Sequence, residues 1–326
     1  MMAPALGVAN NLQNMVSVIR EVSLDELREA ALERPRFVVF GPTAFDAGWF
    51  ADTVLGPGGA AEATTRPLTG PVDDLDHFDA AIIFDPEDVA ESSGLSERLR
   101  ALPLAPPVFR QSGHAAHEAA RIDALRAQIV RRMPERAPAL GRAYPALRAV
   151  AAKVVIDETS VVNAQFALMS NIPSLLPFIG GLAAIGADFI VLTKNQVMMV
   201  YKLAAIYGRD LEDQIGILQE ILPVVGVGFG WRTVARGAVT LLPFAAGTLP
   251  KVGIAYAGTA VVGRGAEFYY RTNRRPSRAQ LEQYARQAQD AAQRVAERLS
   301  RRKRTGGDGG DDERGDAGGE IAMPGV

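Results

Sequence analysis

The chain has 326 residues, of which 48% are hydrophobic, and a formal net charge of −2 at pH 7. This charge balance gives no reason to expect nucleic-acid binding, and the absence of cysteine excludes disulfides, thiolate metal sites and a cysteine nucleophile. At roughly 100–200 residues per domain, the length predicts about two domains.

Residues 1–34 are predicted to form an N-terminal helical segment. Ser23 and Glu26 have the spacing of a capping box, in which each side chain accepts a hydrogen bond from a backbone amide at the start of a helix. The beginning of the chain does not read as a signal peptide. Arg20 is its only early basic residue, and asparagine and glutamine side chains interrupt the apolar run.

Residues 35–135 alternate short apolar runs with helical stretches, which is typical of a parallel α/β sheet. The fold class is therefore predicted to be mixed α and β, with a small α/β domain followed by an all-helical region. The predicted strands are 36–41, 79–84 and 106–110. The predicted helices are about 45–55, 87–101 and 114–133.

The turn after the first predicted strand resembles a phosphate-binding loop only in part. Such a loop reads G-x-x-x-x-G-K-[ST], so that backbone amides surround the phosphate, lysine neutralises it and the hydroxyl binds magnesium. From Gly41 to Trp49 the sequence is GPTAFDAGW: the second glycine is displaced, no lysine follows it, and Asp46 stands where phosphate would approach. Pro42 also lacks an amide donor. These residues predict a degenerate P-loop-like domain with no cofactor and no catalytic activity.

Two other groups contain residue types that bind metals, and a structural role is favoured for both. Asp85 follows the second predicted strand, where a magnesium-associated aspartate could lie, but Pro86 beside it favours a helix cap. His114 and His117 are three residues apart with Glu118 beside them, so a helix could place both imidazoles on one face. Because no third ligand is specified, we predict solvated histidines and no metal.

Two long apolar stretches, 161–192 and 237–262, dominate the middle of the chain. Asp188 is the only formally charged residue of the first stretch, and Lys251 is the only one of the second. A membrane-spanning helix needs about 20 mostly apolar residues, and small residues suit close packing between such helices. We therefore predict a glycine-rich helical membrane domain at 139–272, with transmembrane helices that insert as a multi-pass protein in a bacterial cytoplasmic membrane.

Asp188 needs a polar partner in such a domain, because a carboxylate that faces lipid costs about 3 kcal/mol at a helix centre. Lys251 is the predicted partner, and Lys194 and Gln196 are alternatives one to two turns along the chain. The pair could serve conduction or gating, or it could hold two helices together. The second role is favoured, because a single pair does not make a pathway.

Residues 277–300 form a predicted amphipathic helix, which Ser277 and Gln280 begin with a capping box. Residues 301–326 start with a basic run, continue with an acidic, glycine-rich sequence, and are predicted to be a disordered tail. Arginines after the last apolar helix place the C-terminus in the cytoplasm by the positive-inside tendency. The N-terminus is also predicted to be cytoplasmic.

Two motifs resemble the bacterial family typified by YcjF, whose members carry a glycine-rich helical domain of unknown function, often beside or fused to a GTPase domain. The first motif is LTKNQVMMVYKLAAIYGRD (192–210), and the second is LPFAAGTLPKVGIAYAGTAVVGRGAEFYY (242–270). The matching residues are Gln196, Ala204, Tyr207, Gly208, Pro243, Gly247, Gly258, Thr259 and Gly263. The resemblance implies a membrane-associated, non-enzymatic helical domain that works with a GTPase-like module.

Together these observations predict a non-catalytic membrane-associated scaffold or regulator that presents a decayed, pseudo-GTPase domain to its partners. The expected partners are membrane lipid, a GTPase or a second copy of the chain. The alternative is a soluble helical-bundle regulator or oligomeric binding module that buries its apolar helices in its own core. Charges that interrupt the helices, at Lys202, Arg232 and Arg236, favour this alternative.

Overall fold

The computed structural model describes residues 24–72, 74–88, 90–100, 106–113, 115–169, 187–214, 216–217, 220–221 and 249–307. The strands are β1 (Phe37–Gly41), β2 (Thr64–Pro67), β3 (Ala80–Asp85) and β4 (Val108–Ser112). The helices of the first half are α1 (Leu24–Leu32), α2 (Ala44–Leu55), α3 (Gly59–Glu62), α4 (Ala90–Arg100) and α5 (Ala119–Arg132). Those of the second half are α6 (Ala137–Ala143), α7 (Arg148–Met169), α8 (Ala187–Ile206), α9 (Leu249–Thr272) and α10 (Arg278–Gly307).

The four strands form one parallel sheet in the order β2-β1-β3-β4. Val38 of β1 lies opposite Thr64 on one side and Ala81 on the other, and Ile83 of β3 lies opposite Arg110. The prediction of a parallel α/β sheet followed by helices is confirmed at this level, and the described residues are mostly helical. The sequence did not predict β2, whose TTRP sequence is short and ends in proline, as an edge strand allows.

Alternation along the strands gives the sheet two different apolar faces. The face that we call the inner face carries Phe37, Ile82 and Phe84, and it belongs to the larger hydrophobic core. The opposite, outer face carries Phe40 and Ile83 and packs against α4 in a smaller cluster of its own. The inner face therefore connects the sheet with the rest of the molecule.

The larger core continues from the inner face into the helical region without a break. Tyr144, which follows α6, donates a hydrogen bond from its hydroxyl to the carbonyl of Pro35, with 2.6 Å between the oxygens. The Tyr144 ring also packs edge-on against Phe37 of β1, with 5.3 Å between ring centroids. The predicted boundary between 135 and 139 thus lies inside one continuous apolar core.

The helical region is a bundle in which α7, α8 and α9 contact one another and α10 packs along α9. The predicted end of α8 is confirmed: Gly208 has a φ of 75°, and its amide donates to the carbonyl of Ala205. The predicted start of α10 is also confirmed, because the Ser277 amide donates to Oε1 of Gln280 at 2.8 Å. Helix α10 extends to Gly307, beyond the predicted helix end at residue 300, and residues 308–326 lie outside the described residues.

The prediction of transmembrane helices is wrong: among the described residues, no helix is both long and apolar enough to cross a bilayer. Helices α7 and α9 have 22 and 24 residues, but charged residues interrupt both, for example Asp157 in α7 and Glu267 in α9. Their small apolar residues pack against neighbouring helices instead. The multi-pass location in a cytoplasmic membrane, with both termini cytoplasmic, falls with this prediction. Residues 170–186 and 222–248, which include parts of the two apolar stretches, lie outside the described residues.

Candidate functional site

The carboxyl edge of the sheet between β1 and β3 is the place where the order of the strands reverses. From β1 the chain runs to β2 on one side, and it then returns to form β3 on the other side of β1. Ligands of open α/β sheets bind outside the carboxyl ends of the strands at such a point. Gly41 ends β1 and Asp85 ends β3. We call the described residues 42–46, 85–88, 113 and 115–118, together with the first turns of α2, the switch-point edge.

The turn from β1 to α2 contains only Pro42 and Thr43, and it brings the helix very close to the strand. A Cβ atom on Gly41 would lie 2.7 Å from the backbone nitrogen of Ala47 and 3.0 Å from its Cα. Only glycine fits at that distance, because backbone atoms cannot rotate away as a side chain can. A turn of two residues, one of them proline, also leaves too few free amides to surround a phosphate.

The amino terminus of α2 is closed by a capping box formed by Thr43 and Asp46. The Asp46 carboxylate accepts from the Thr43 amide at 3.1 Å and from the Thr43 hydroxyl at 2.7 Å, and the Thr43 hydroxyl accepts from the Asp46 amide at 3.1 Å. A carboxylate therefore already occupies the end of the helix where the dipole favours negative charge. The T-x-x-D spacing could have predicted this cap from the sequence.

Asp85 is fully buried and is held by an arginine from the neighbouring strand. An Nη atom of Arg110 lies 3.2 Å from Asp85 Oδ2 and 2.6 Å from Asp88 Oδ1, so one guanidinium bridges both carboxylates. The Gly113 amide donates to the Asp85 carbonyl at 3.0 Å, which ties the ends of β3 and β4 together. Arg110 thus supplies the positive charge at the position considered for magnesium. The predicted cap at α4 is not tested, because residue 89 lies outside the described residues.

Two of the three histidines lie in the described part of the chain. His117 is exposed just before α5, His77 lies with Nδ1 2.7 Å from Oδ1 of Asp76, and His114 is outside the described residues. Where the chain is described, no group of three or more metal-ligating side chains could hold an ion.

Two aromatic side chains, which were not predicted as a pair, project from the switch-point edge. Phe45 is 83% exposed and Trp49, one helical turn later in α2, is 47% exposed. The Trp49 ring lies 5.7 Å from the ring of Phe84, which stacks in turn on Phe50 at 4.2 Å between centroids. The edge therefore presents apolar rings to solvent on a rigid aromatic base. Their i, i+4 spacing in a predicted helix was the available signal.

The bundle contains a set of amide and hydroxyl side chains, buried Asn163 and Thr259 with half-buried Asn195 and Gln196, which we call the bundle polar cluster. Asn163 of α7 donates from Nδ2 to Thr259 Oγ1 at 2.8 Å, and Asn195 of α8 donates from Nδ2 to Asn163 Oδ1 at 2.8 Å. Gln196 reaches Thr259 Oγ1 at 3.4 Å. The Thr259 hydroxyl donates to the carbonyl of Ala255 within α9.

This cluster joins three helices at one level of the bundle. Buried amides are costly unless they are paired, so the bonds favour a single alignment of α7, α8 and α9. Gln196 and Thr259 come from the two separate motifs that resemble the YcjF-type family, and the structure brings them together. Sequence reasoning missed Asn163 and Asn195, because their partners are distant in the chain.

Of the other motif residues, some lie in the described part of the chain, and their packing can be stated. A Cβ on Gly263 would lie 2.7 Å from Cγ1 of Ile156 and 3.0 Å from the sulfur of Met199, so α9 approaches both neighbours closely there. Gly258 is buried in the same helix. Pro243 and Gly247 lie outside the described residues.

Tyr207 directly follows α8 and lies near a buried carboxylate of α9. Burial raises the pKa of Tyr207 to about 12, and the negative charge of Glu267 adds to this shift. Burial also raises the pKa of Glu267, although Arg264, with Nη1 3.3 Å from Oε2, opposes the shift. Within the described residues, the buried hydroxyls of Tyr207 and Tyr270 have no hydrogen-bond partner.

The predicted Asp188–Lys251 pair can be placed by backbone position. Gln196 contacts Thr259, and Met199 packs at Gly263, so α8 and α9 run parallel in this part of the bundle. Extended eight residues towards the start of both helices, the same alignment puts positions 188 and 251 at one level. Both side chains lie outside the described set, so their pairing stays a prediction.

Comparison with known proteins gives no match to a family model, a curated protein or a solved structure. The resemblance to the YcjF-type family therefore depends on the motif residues alone and stays a prediction.

Proposed function

We propose that this protein is a non-catalytic regulator that acts as a binding module. In this proposal the bundle buries its apolar helices in its own core, and the α/β region presents the switch-point edge to a partner protein. One observation carries it: the amino terminus of α2 is occupied by the Asp46 carboxylate and bordered by exposed Phe45 and Trp49. A nucleotide site needs free amide donors there, whereas a protein-binding surface needs exposed aromatic area.

The α/β region is, in this proposal, a decayed relative of a nucleotide-binding domain. A parallel sheet with a tight strand–turn–helix unit after β1 supports this view, because phosphate-binding loops occupy the same position. Asp46 in the capping box and the missing lysine support the loss of phosphate binding. A GTPase partner that supplies nucleotide chemistry in trans is consistent with this reading.

The bundle polar cluster supports the role of the helices as an internal scaffold. Asn163 is fully buried and Thr259 is 1% exposed, and each bonds to a side chain of another helix. Through these bonds, polar side chains of one helix pair with polar side chains of another. This is expected for a self-contained bundle that holds the inner face of the sheet in place.

Thermal unfolding with and without Mg-GTP and Mg-ATP tests the proposal. A ligand at 100 times its Kd would stabilise the native state by about 2.7 kcal/mol, which raises the Tm measurably. We expect no change in Tm at about 1 mM nucleotide and no phosphate release. As a matched control, Asp46→Asn removes the charge from the α2 amino terminus, and it should also give no shift because no lysine is present.

Stabilisation by nucleotide, or turnover above the level of a heat-denatured sample, would refute the non-catalytic proposal.

A second candidate function, self-association, is favoured by exposed apolar residues on the bundle. Val162 and Met169 lie seven residues apart in α7, which places them on one face, and Met169 is 77% exposed. Sedimentation velocity tests this candidate, with Val162→Ser and Met169→Ser combined against Leu32→Ser as a control at another exposed apolar site. Self-association requires an oligomer that only the α7 variant dissociates. If the wild-type protein is monomeric at about 50 µM, a concentration at which a stable dimer stays associated, self-association is excluded.

A further inference from the structure

Trp49 and the backbone of Phe45 at the switch-point edge are held in place by the fold itself. Trp49 rests on Phe84 at 5.7 Å between ring centroids, and the planes are tilted by 48°. Phe45 is in the first turn of α2, whose start is fixed by the capping box. Exposed rings that are already ordered lose little conformational entropy when they bind.

The charge around these rings is negative. Residues 42–46, 85–88, 113 and 115–118 contain no lysine or arginine. Because the carboxyl ends of neighbouring parallel strands meet at one edge, the carboxylates of these segments lie along that edge, with Asp85 fully buried there. The nearby Arg110 already bridges two of them. The carboxylates are Asp46, Asp85, Glu87, Asp88 and Glu118.

Aromatic faces with nearby carboxylates recognise cations, and arginine suits them best because its planar guanidinium stacks on rings and pairs with carboxylates. A contact between an arginine and aromatic rings also occurs within the fold of this chain. The guanidinium of Arg209 lies 5.5 Å from the ring centroid of Tyr270 and 5.7 Å from that of Tyr269.

We propose that the switch-point edge binds an arginine-bearing basic segment of a partner protein. Guanidinium groups stack on Trp49 and Phe45, and the exposed carboxylates of Glu87 and Asp88 hold the flanking positive charges. This inference rests on the proposed binding-module function and adds the chemistry of the partner. Anionic partners are disfavoured, because Asp46 takes the place that an anion would need at α2.

Tryptophan fluorescence tests the proposal directly, since the chain has two tryptophans and Trp231→Phe leaves Trp49 as the only indole. The probe is a nine-residue peptide of alternating arginine and glycine, titrated in about 150 mM salt, which screens long-range attraction. Peptides with lysine or glutamate in place of arginine are matched controls. We expect saturable quenching with the arginine peptide, weaker binding of the lysine peptide and no response to the glutamate peptide.

Substitutions locate the contact. Phe45→Ala should weaken binding of the arginine peptide about fivefold, the loss of one exposed cation–π contact. Glu87→Gln with Asp88→Asn should weaken it by a similar factor, more strongly at low salt. Leu32→Ala changes an apolar residue that is 52% exposed elsewhere, so it should leave the affinity unchanged. The same affinities are then measured in a chain that keeps Trp231, by the fluorescence anisotropy of a labelled peptide.

The proposal is overturned if the glutamate peptide binds at Trp49, or if neither peptide binds at millimolar concentration. It is also overturned if Phe45→Ala and Leu32→Ala have equal effects on the arginine peptide. The nucleotide titration measures a different quantity. Failure of the peptide without any nucleotide effect refutes only the partner chemistry, whereas nucleotide stabilisation refutes the proposed function itself.

Discussion

The switch-point edge and the bundle polar cluster both depend on polar side chains, but in opposite surroundings. At the edge, Thr43 and Asp46 are three residues apart and complete the end of one helix near solvent. In the bundle, Asn163 and Thr259 are 96 residues apart, buried, and join two helices. The first arrangement shapes the backbone locally and leaves a surface free for binding. The second holds distant elements together, with Asn163 and Thr259 at its buried centre.

Substitution of a closely packed glycine should give the largest difference in stability between the two regions. Gly41→Ala should lower the free energy of unfolding by about 3 kcal/mol, because its Cβ meets backbone atoms of α2 that cannot move separately. Gly263→Ala should cost only about 1 kcal/mol, since the side chains of Ile156 and Met199 can shift. Urea denaturation measures both values.

Gly94→Ala is the control for this pair. A Cβ there meets no atom within 4 Å, so the substitution should raise stability by about 0.5–1 kcal/mol. Equal losses for Gly41→Ala and Gly263→Ala would remove the contrast between a rigid turn and an adaptable bundle.

Removal of the central amide of the bundle polar cluster should have the next largest effect. Asn163→Ala is expected to cost about 2 kcal/mol, because it removes the acceptor of the half-buried Asn195 amide and one of the donors to buried Thr259. A double-mutant cycle with Thr259→Val should show a coupling of about 1 kcal/mol in urea denaturation. Gln165→Ala, an exposed amide in the same helix, is the matched control. If both alanine variants lose equal stability, the cluster does not hold the bundle together.

Loss of the α2 cap should have a smaller effect. Asp46→Ala is expected to destabilise the protein by about 1 kcal/mol, since two hydrogen bonds from Thr43 lose their acceptor. Glu97→Ala, an exposed carboxylate of α4, should stay within about 0.5 kcal/mol of the wild type. A gain in stability from Asp46→Ala would indicate that the carboxylate is strained and kept for another purpose.

The smallest effect concerns pH and the buried Glu267 at the end of the bundle. Burial raises the native pKa of Glu267, so its contribution is fully present below the pKa of the unfolded chain and is lost as pH rises through the native pKa. Glu267→Gln does not ionise, so its Tm should gain on that of the wild type as pH rises above about 4, the usual range of the glutamate pKa. Glu97→Gln should show no such trend. A Tm difference independent of pH would contradict this assignment.

Local patterns predicted the elements that depend on neighbours in the chain. The strands β1 and β3, the glycine that ends α8 and the capping box of α10 all appear where the sequence indicated, and β4 lies two residues beyond the predicted 106–110. The edge strand β2 was missed because TTRP lacks an apolar run and pairs with β1 only through the backbone. The Thr43–Asp46 cap was readable in the same way, but its residues were compared with a phosphate loop instead.

The membrane prediction failed for a physical reason. Average hydropathy measures how apolar a segment is, and it does not show whether lipid or protein surrounds it. In α7 and α9, small residues such as Ala164 and Ala257 are buried against neighbouring helices.

The sequence by itself determined three of the four strands, the end of α8, the start of α10 and the absence of a lysine for phosphate, because each depends on residues a few positions apart. Only the tertiary structure decided which apolar helices cover one another, which amides meet across the bundle, and that Phe45 and Trp49 stay outside the core. Those outcomes depend on contacts between residues separated by tens of positions. A linear pattern does not specify such contacts, because many pairings would bury similar apolar area.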